Sequence, residues 1–246
     1  MKRFFRSFLS GFCFSVFGIG GVIIGATLVP VLFVFCSKSV QKRILAGTIH
    51  YLWKTFVWLM CILKLISIKT TDTEKLHNLR GKIIIANHPS LIDVVILVSR
   101  IPRSICVVKG SLFKNIFIKS LIRRVYLSNA MTPDDFMISA TNDLDAGYNI
   151  VIFPEGTRTQ KHKSVHLHRG FAYLHMYSKH AILPIHIQNK PHILGKNSPW
   201  YDVGDKTSVY TLKLLPEIVF SKKNKTAARE RAVSITETAK KSLFSA

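Results

Sequence analysis

Lys82 to Asp93, KIIIANHPSLID, is the stretch whose reading decides the fold. Lys82 to Ala86 is a short apolar run, mostly β-branched, which predicts a buried strand. Pro89 has no N–H to give a sheet, so the strand stops by His88. Ser90 followed three residues later by Asp93, just ahead of the apolar run Val94 to Val98, predicts a helix start of the capping-box type, with Ser90 as N-cap and Asp93 at N3. Side chains in a first helical turn lean toward the N-terminus, so Asp93 is expected to point at the strand end that carries His88. A base and a carboxylate then meet at the mouth of an α/β unit. Taken alone, Asp93 also reads as nothing more than a capping carboxylate, because a bare His-x4-Asp is a weak signal in a chain with ten histidines.

A second stretch sharpens that reading. Asn149 to Phe153, NIVIF, predicts another short buried strand, and it runs into Pro154-Glu155-Gly156-Thr157-Arg158. NHPSLID and FPEGTR, in this order and each at a strand end, resemble the first and third motifs of the glycerolipid acyltransferase family, whose best-known members are the 1-acyl-glycerol-3-phosphate acyltransferases. The resemblance implies an α/β fold, a mixed sheet with covering helices, preceded by a membrane-embedded helical segment. It implies transfer of a fatty acyl group from a thioester, of acyl carrier protein or coenzyme A, to the hydroxyl of a lyso-lipid, with no further cofactor. His88 is then the base that takes the hydroxyl proton, and Asp93 fixes its tautomer. Also by resemblance, Glu155, Gly156, Thr157 and Arg158 shape the acceptor site, with Arg158 and Lys109 supplying charge to an anionic headgroup. The alternative for Glu155 and Arg158 is a local salt bridge that holds a turn. Leu183-Pro184-Ile185 resembles the fourth motif, although an apolar strand explains those residues equally well.

The resemblance runs from about Leu76 to Ile187 and weakens in the middle. Lys109 and Leu112 fit the second motif, but Phe113 to Arg124 lacks the proline and glycine usual there. Where glycerophosphate-using members carry an arginine after the next short strand, this chain has Tyr126-Leu127-Ser128-Asn129. The acceptor is therefore expected to be 1-acyl-glycerol-3-phosphate or, with a phosphate ligand missing, a lyso-ornithine lipid, a glycolipid or a polyene lipid. A non-catalytic membrane-binding module is the competing class, opposed by the intact His88, Asp93 and FPEGTR.

Charge and hydropathy indicate where the protein works. The formal net charge is +22, and 48% of the 246 residues are hydrophobic. Residues 1–71 hold nine Lys or Arg and no Asp or Glu. So basic a chain with so much apolar sequence fits an anionic membrane surface. Nucleic acid would instead call for a basic face interleaved with aromatics, and the aromatics here concentrate in the apolar segments. Cys13, Cys36, Cys61 and Cys106 show no CxxC spacing and read as reduced packing residues of a cytosol-facing protein. By resemblance, the location is the bacterial inner membrane with the catalytic domain toward the cytoplasm.

Ser7 to Ser37 carries no charged side chain, which is longer than the ~20 apolar residues that cross a bilayer. A cleaved signal peptide is the alternative, against which the run is about twice a typical h-region of ~7–15 residues. Basic residues flank both ends, so the positive-inside rule selects neither. Gly18, Gly20, Gly21, Gly25 and Pro30 allow either a span or a re-entrant bend. Ile44 to Ile68, broken by Lys54 and Lys64, is expected at the interface, its Tyr51, Trp53 and Trp58 at headgroup depth. The domain reading is residues 1–70 as membrane anchor and interfacial helix, 71–221 as the acyltransferase domain, and 222–246 as a C-terminal amphipathic helix packed on it.

The remaining pattern alternates strand and helix: strand Ser104 to Val108, helix Leu112 to Arg124, and a helix opened by Thr132-Pro133 and stopped by Gly147. A helix from Gly170 to about Lys179 and a strand from Ile182 to Ile187 follow. Such alternation places ligand sites at the C-terminal ends of the strands. Seven of the ten histidines lie between His162 and His192, but no cysteine accompanies them and no metal site is expected.

Overall fold

The structure, a computed structural model, describes residues 2–110, 122–159, 165–219 and 227–244. Seven strands among these residues form one mixed sheet: β1 (Ile66–Thr70), β2 (Ile83–Ala86), β3 (Ser104–Val108), β4 (Leu127–Ser128), β5 (Asn149–Ile152), β6 (Ile182–Lys190) and β7 (Ser208–Leu214). Their order across the sheet is β1-β7-β6-β2-β5-β3-β4. Only β6 and β7 pair antiparallel; every other neighbouring pair is parallel. Central β2 is buried on both faces, with Ile83, Ile84, Ile85 and Ala86 fully inaccessible. That burial is why its sequence is a continuous apolar run and not an alternating one.

Helices cover the sheet. Among the described residues they are α1 (Lys2–Phe35), α2 (Lys38–Ile62), α3 (Thr73–Asn78), α4 (Asp93–Arg100), α5 (Pro133–Asp145), α6 (Gly170–Ser178) and α7 (Ala228–Phe244). Thr132 caps α5 by accepting from the Asp135 N–H, with Pro133 in the first turn, and Gly147 follows at φ +79°, a conformation open to glycine at little cost. In α7, Ala232, Thr236, Ala239 and Leu243 are the buried stripe, and the Leu243 carbonyl accepts from the His186 ring at 2.7 Å.

Several expectations change here. Ser90 is not the N-cap of α4. The helix starts at Asp93 with Ile92 before it, and the Ser90 hydroxyl, which donates to the Asp93 carboxylate, accepts from the Tyr210 phenol in place of a helix N–H. The apolar stretch 44–68 is not one element: α2 stops at Ile62 and β1 is already in the sheet, paired in register with β7 from Ile66 opposite Ser208. The glycines and Pro30 do not break the first segment, since α1 runs unbroken from Lys2 to Phe35. The expected helix Leu112 to Arg124 falls largely outside the described residues.

Both helices of the N-terminal pair are long and apolar enough to cross a membrane, by length and composition. The inner face of α2 packs on α4, with Leu45, Ala46, Ile49, Phe56, Val57 and Met60 buried, and its His50 ring bonds the Val98 carbonyl at 2.7 Å. Lys42 pairs with the buried Asp143. α1 lies outside α2, and Phe17 stacks on Trp53 at 4.1 Å. An apolar groove of about 620 Å³ separates the two helices, with Cys13, Phe17, Gly20 and Ile24 on one wall, Ile44 and Gly47 on the other, and Arg43 at its rim.

Both ends of α1 are tied to the sheet domain. At the start, Arg3 pairs with Asp202 at 2.5 Å, and the Arg6 guanidinium donates to the carbonyls of Gly204, Lys64, Leu65 and Lys206 at 3.0–3.3 Å. Phe14 packs edge-on against Trp200 at 5.3 Å. At the far end, the Arg124 guanidinium sits 4.9 Å from the centre of the Phe33 ring.

Asn149 holds the lower end of the sheet. Fully buried, it accepts the Lys82 N–H at 3.1 Å and donates to the Leu79 and Pro102 carbonyls at 3.0 and 3.3 Å. An Asn149→Ala variant leaves these groups unpaired in the interior, at about 1–3 kcal/mol for such a group. Thermal unfolding of the purified variant is expected to show a midpoint several degrees below the parent's, and an unchanged midpoint would count against this role.

Candidate active site

The site forms where β2 and β5, adjacent and parallel, end side by side. At Asn87 the backbone of β2 leaves the sheet, and the side chain takes over its pairing with β6. Its Nδ2 donates to the Ile187 carbonyl at 2.8 Å while its Oδ1 accepts the Ile187 N–H at 2.7 Å. His88 is thereby lifted off the sheet without leaving buried main-chain groups of β6 unpaired.

The His88 backbone is then taken up by the FPEGTR turn. Its N–H is shared between Glu155 Oε1 at 3.0 Å and Thr159 Oγ1 at 3.1 Å, and its carbonyl accepts the Thr159 N–H at 2.7 Å. The Thr159 hydroxyl donates to the same Glu155 oxygen at 2.6 Å. The two motifs are thus joined through main chain. Burial pushes the Glu155 carboxyl above the ordinary range, and the hydrogen bonds from Thr159 and His88 partly offset this.

His88 and Asp93 meet as expected. Nδ1 lies 2.9 Å from Asp93 Oδ2, the imidazole being partly exposed and the carboxylate wholly buried. An ionised carboxylate only accepts, so Nδ1 carries the hydrogen and Nε2 keeps its lone pair. Nε2 makes no hydrogen bond among the described residues, and the Phe153 ring lies 4.4 Å from the imidazole centre. Asp93 also accepts the Ser90 N–H at 2.6 Å and the Ser90 hydroxyl. The arrangement can withdraw a proton from a group presented at Nε2 and return it.

The other expected site residues divide. Lys109 follows β3, at the same end of the sheet, and is exposed. Thr157 is exposed too. Gly156 turns the chain at φ +64°, and a Cβ there would come within 3.1 Å of the His168 ring, so any larger residue meets both backbone strain and His168. Arg158 aims Nη1 at the carbonyls of Leu194 and Gly195, at 3.1 and 2.7 Å. The Leu194 carbonyl also accepts the Leu91 N–H at 2.9 Å. Glu155 and Arg158 both hold turns, but through separate partners and not through each other. Asn129, which follows the short strand β4, accepts the Gly110 N–H at 3.0 Å and so braces the turn after Lys109.

Two participants had no sequence signal: Thr159, one residue past the motif, and the segment 191–207 that receives Arg158. Of the histidines between His162 and His192, the rings of His175, His180 and His186 bond the carbonyls of His180, Gly81 and Leu243. Among the described residues no group of three His, Cys, Asp or Glu is placed to hold a metal ion.

The family model described as Acyltransferase matches residues 67–188. The fold is similar to the crystal structure of the 1-acyl-sn-glycerophosphate (LPA) acyltransferase PlsC from Thermotoga maritima, at 18% identity and TM-score 0.72, covering 98% of this chain and 97% of that one. No curated protein matches the chain by sequence.

Since Glu155 accepts from main chain and Thr159, an amide in its place keeps the accepting oxygen. Glu155→Gln is expected to retain turnover within about fivefold, whereas Glu155→Ala, which removes the oxygen that the His88 N–H and the Thr159 hydroxyl share, is expected to lose roughly 10²-fold, as for an ångström-scale misplacement of a reacting group. Initial rates of the two variants decide this. Equal losses would show that the charge of Glu155 acts elsewhere, on substrate.

Proposed function

The chain belongs to the glycerolipid acyltransferase family and is an acyltransferase, 1-acylglycerol-3-phosphate O-acyltransferase-like, and from this we propose that it acylates the free hydroxyl of a lyso-glycerophospholipid at a membrane surface. The observation that carries the reading is the His88–Asp93 pair at the joint of the two motifs, with Nε2 unengaged among the described residues. Nε2 takes the proton of the acceptor hydroxyl as its oxygen attacks the thioester carbonyl. Asp93 steadies the imidazolium. The tetrahedral intermediate collapses, the C–S bond breaks, and the Nε2 proton passes to the leaving thiolate.

Attack is direct, without an acyl-enzyme. The hydroxyls beside the pair are committed, that of buried Ser90 to Asp93 and that of Thr159 to Glu155, and burial pushes the Cys106 thiol up to about 12, where it is no nucleophile. The donor in this reading is a thioester of acyl carrier protein or coenzyme A, both anionic, which suits a chain of net charge +22. In this reading Lys109, Gly156, Thr157 and Arg158 line the acceptor side, and the Lys109 ammonium and the Arg158 guanidinium supply the charge for an anionic headgroup.

The membrane reading rests on α1 and α2. A helix of 34 residues measures about 51 Å at 1.5 Å per residue, and α1 has both ends against the same domain. We infer that the pair lies in one leaflet with its exposed Phe4, Phe8 and Phe12 in the acyl region. The catalytic domain then faces the cytoplasm of a bacterial inner membrane, where thioester donors are found. A second acceptor reading, a lyso-lipid without phosphate, is favoured by Asn129, which is a hydrogen-bond brace where the family's phosphate users have a cation.

His88→Ala is expected to lower acyl transfer by at least ~10²-fold with membrane recovery unchanged, and Asp93→Asn by less. The purified protein is to be assayed in parallel with lysophosphatidic acid and with a lyso-ornithine lipid, using acyl-coenzyme A and acyl-carrier-protein donors. Preference for lysophosphatidic acid supports the phosphate reading, the reverse supports the second, and a His88→Ala enzyme within threefold of the parent removes the base.

A further inference from the structure

Asp93 has two carboxylate oxygens to satisfy and no solvent to do it. Oδ2 receives the His88 Nδ1–H and the Ser90 N–H, while Oδ1 receives the Ser90 hydroxyl proton at 2.5 Å. Ser90 has one hydroxyl proton, so its oxygen in turn is an acceptor, and the phenol of Tyr210 donates to it at 3.0 Å. Tyr210 likewise has one proton, and its oxygen accepts from Asn189 Nδ2 at 3.4 Å. The donor inventory leaves one direction for the whole series: amide to phenol, phenol to serine, serine to carboxylate. Burial first, and the Asp93 charge second, hold the phenol well above its ordinary range, so Tyr210 keeps the proton it donates. Asp93, Ser90 and Tyr210 are all at 0% exposure, and no bulk water replaces a missing link.

We propose that Ser90 and Tyr210 are positioning residues for acyl transfer, a one-way hydrogen-bond chain from β7 that holds the Asp93 carboxylate at a fixed angle while His88 gains and loses its proton. The proposal rests on His88 as base. When Nε2 takes the acceptor's proton, the bond to Asp93 becomes a contact between charges and pulls on the carboxylate. A carboxylate held by the imidazole alone would turn with it. Held from behind by Ser90, and Ser90 by Tyr210, it stays in place, and links in such a series strengthen one another. Tyr210 and Asn189 lie beyond the residues 67–188 that the family model matches, on the antiparallel pair β6 and β7. This part of the chain supplies support that the two motifs do not contain.

The test is a double-mutant cycle on the full-length protein, with acyl-coenzyme A and the acceptor that the parent enzyme turns over. Tyr210→Phe, which keeps the ring, is expected to lower kcat about tenfold with the acceptor KM unchanged, and Ser90→Ala at least as much. In an Asp93→Asn background Tyr210→Phe is expected to change the residual rate less than twofold, because the group it acts through has already been altered. A Tyr210→Phe enzyme within twofold of the parent, or a tenfold loss that persists undiminished in Asp93→Asn, would overturn the proposal. If Tyr210→Phe does not fold, Ser90→Ala in the same cycle decides: non-additivity with Asp93→Asn supports it and additivity overturns it. Failure of the base is a separate result, seen as activity in His88→Ala, and it would remove both readings.

Discussion

A buried carboxylate without donors costs several kcal/mol, and the placement of Asp93 at 0% exposure imposes that condition on everything around it. It is met locally by the tight turn His88-Pro89-Ser90, which brings a ring N–H, a backbone N–H and a hydroxyl onto one carboxylate. The same condition shapes the approach to α4, which begins at Asp93: the Ser90 hydroxyl gives its proton to the acid, and its oxygen is taken up by the Tyr210 phenol in place of a helix N–H. A capping box and a catalytic pair use the same residue types at the same spacing, and here the buried charge has the stronger claim on the serine.

The sheet makes that turn possible. Short, doubly buried β2 and β5 end together, and Asn87 closes the gap opened when the chain turns away from β6. The FPEGTR turn then supplies the partners that β2 no longer has. Much of what the motif residues do is therefore main-chain repair: Glu155 and Thr159 pair the His88 backbone, and Arg158 gathers the carbonyls of Leu194 and Gly195. A pair of signatures far apart in sequence is in effect one folded joint.

The elements legible in the sequence were those whose cause is local. Continuous isoleucines announced β2, Pro133 and Gly147 bracketed α5, and the meeting of His88 with Asp93 followed from the lean of side chains in a first turn. What escaped has a non-local cause. β7 (SVYTLKL) alternates only weakly and is a strand because β1 and β6 flank it. β1 was concealed at the end of a long apolar run whose division at Leu63 to Leu65 depends on contacts with the sheet. Tyr210 stands 120 positions from Ser90, and no spacing rule reaches so far. The positions of Gly156 and Arg158 were legible, but the use of the Arg158 guanidinium on backbone carbonyls was not, because its acceptors lie in an irregular segment.

That irregular segment, residues 191–207, has a wider consequence. At one end its Leu194 and Gly195 carbonyls are held by Arg158, and Leu194 also by Leu91 of the NHPSLID turn. At the other, Asp202, Gly204 and Lys206 are held by Arg3 and Arg6 of α1, with Trp200 against Phe14. The N-terminal helix and the catalytic turns thus grip opposite ends of one short strap. The helix pair is not an exchangeable module: a hybrid given another relative's first 62 residues would inherit a strap with the wrong handholds, so the two regions are transferable between relatives only as a set.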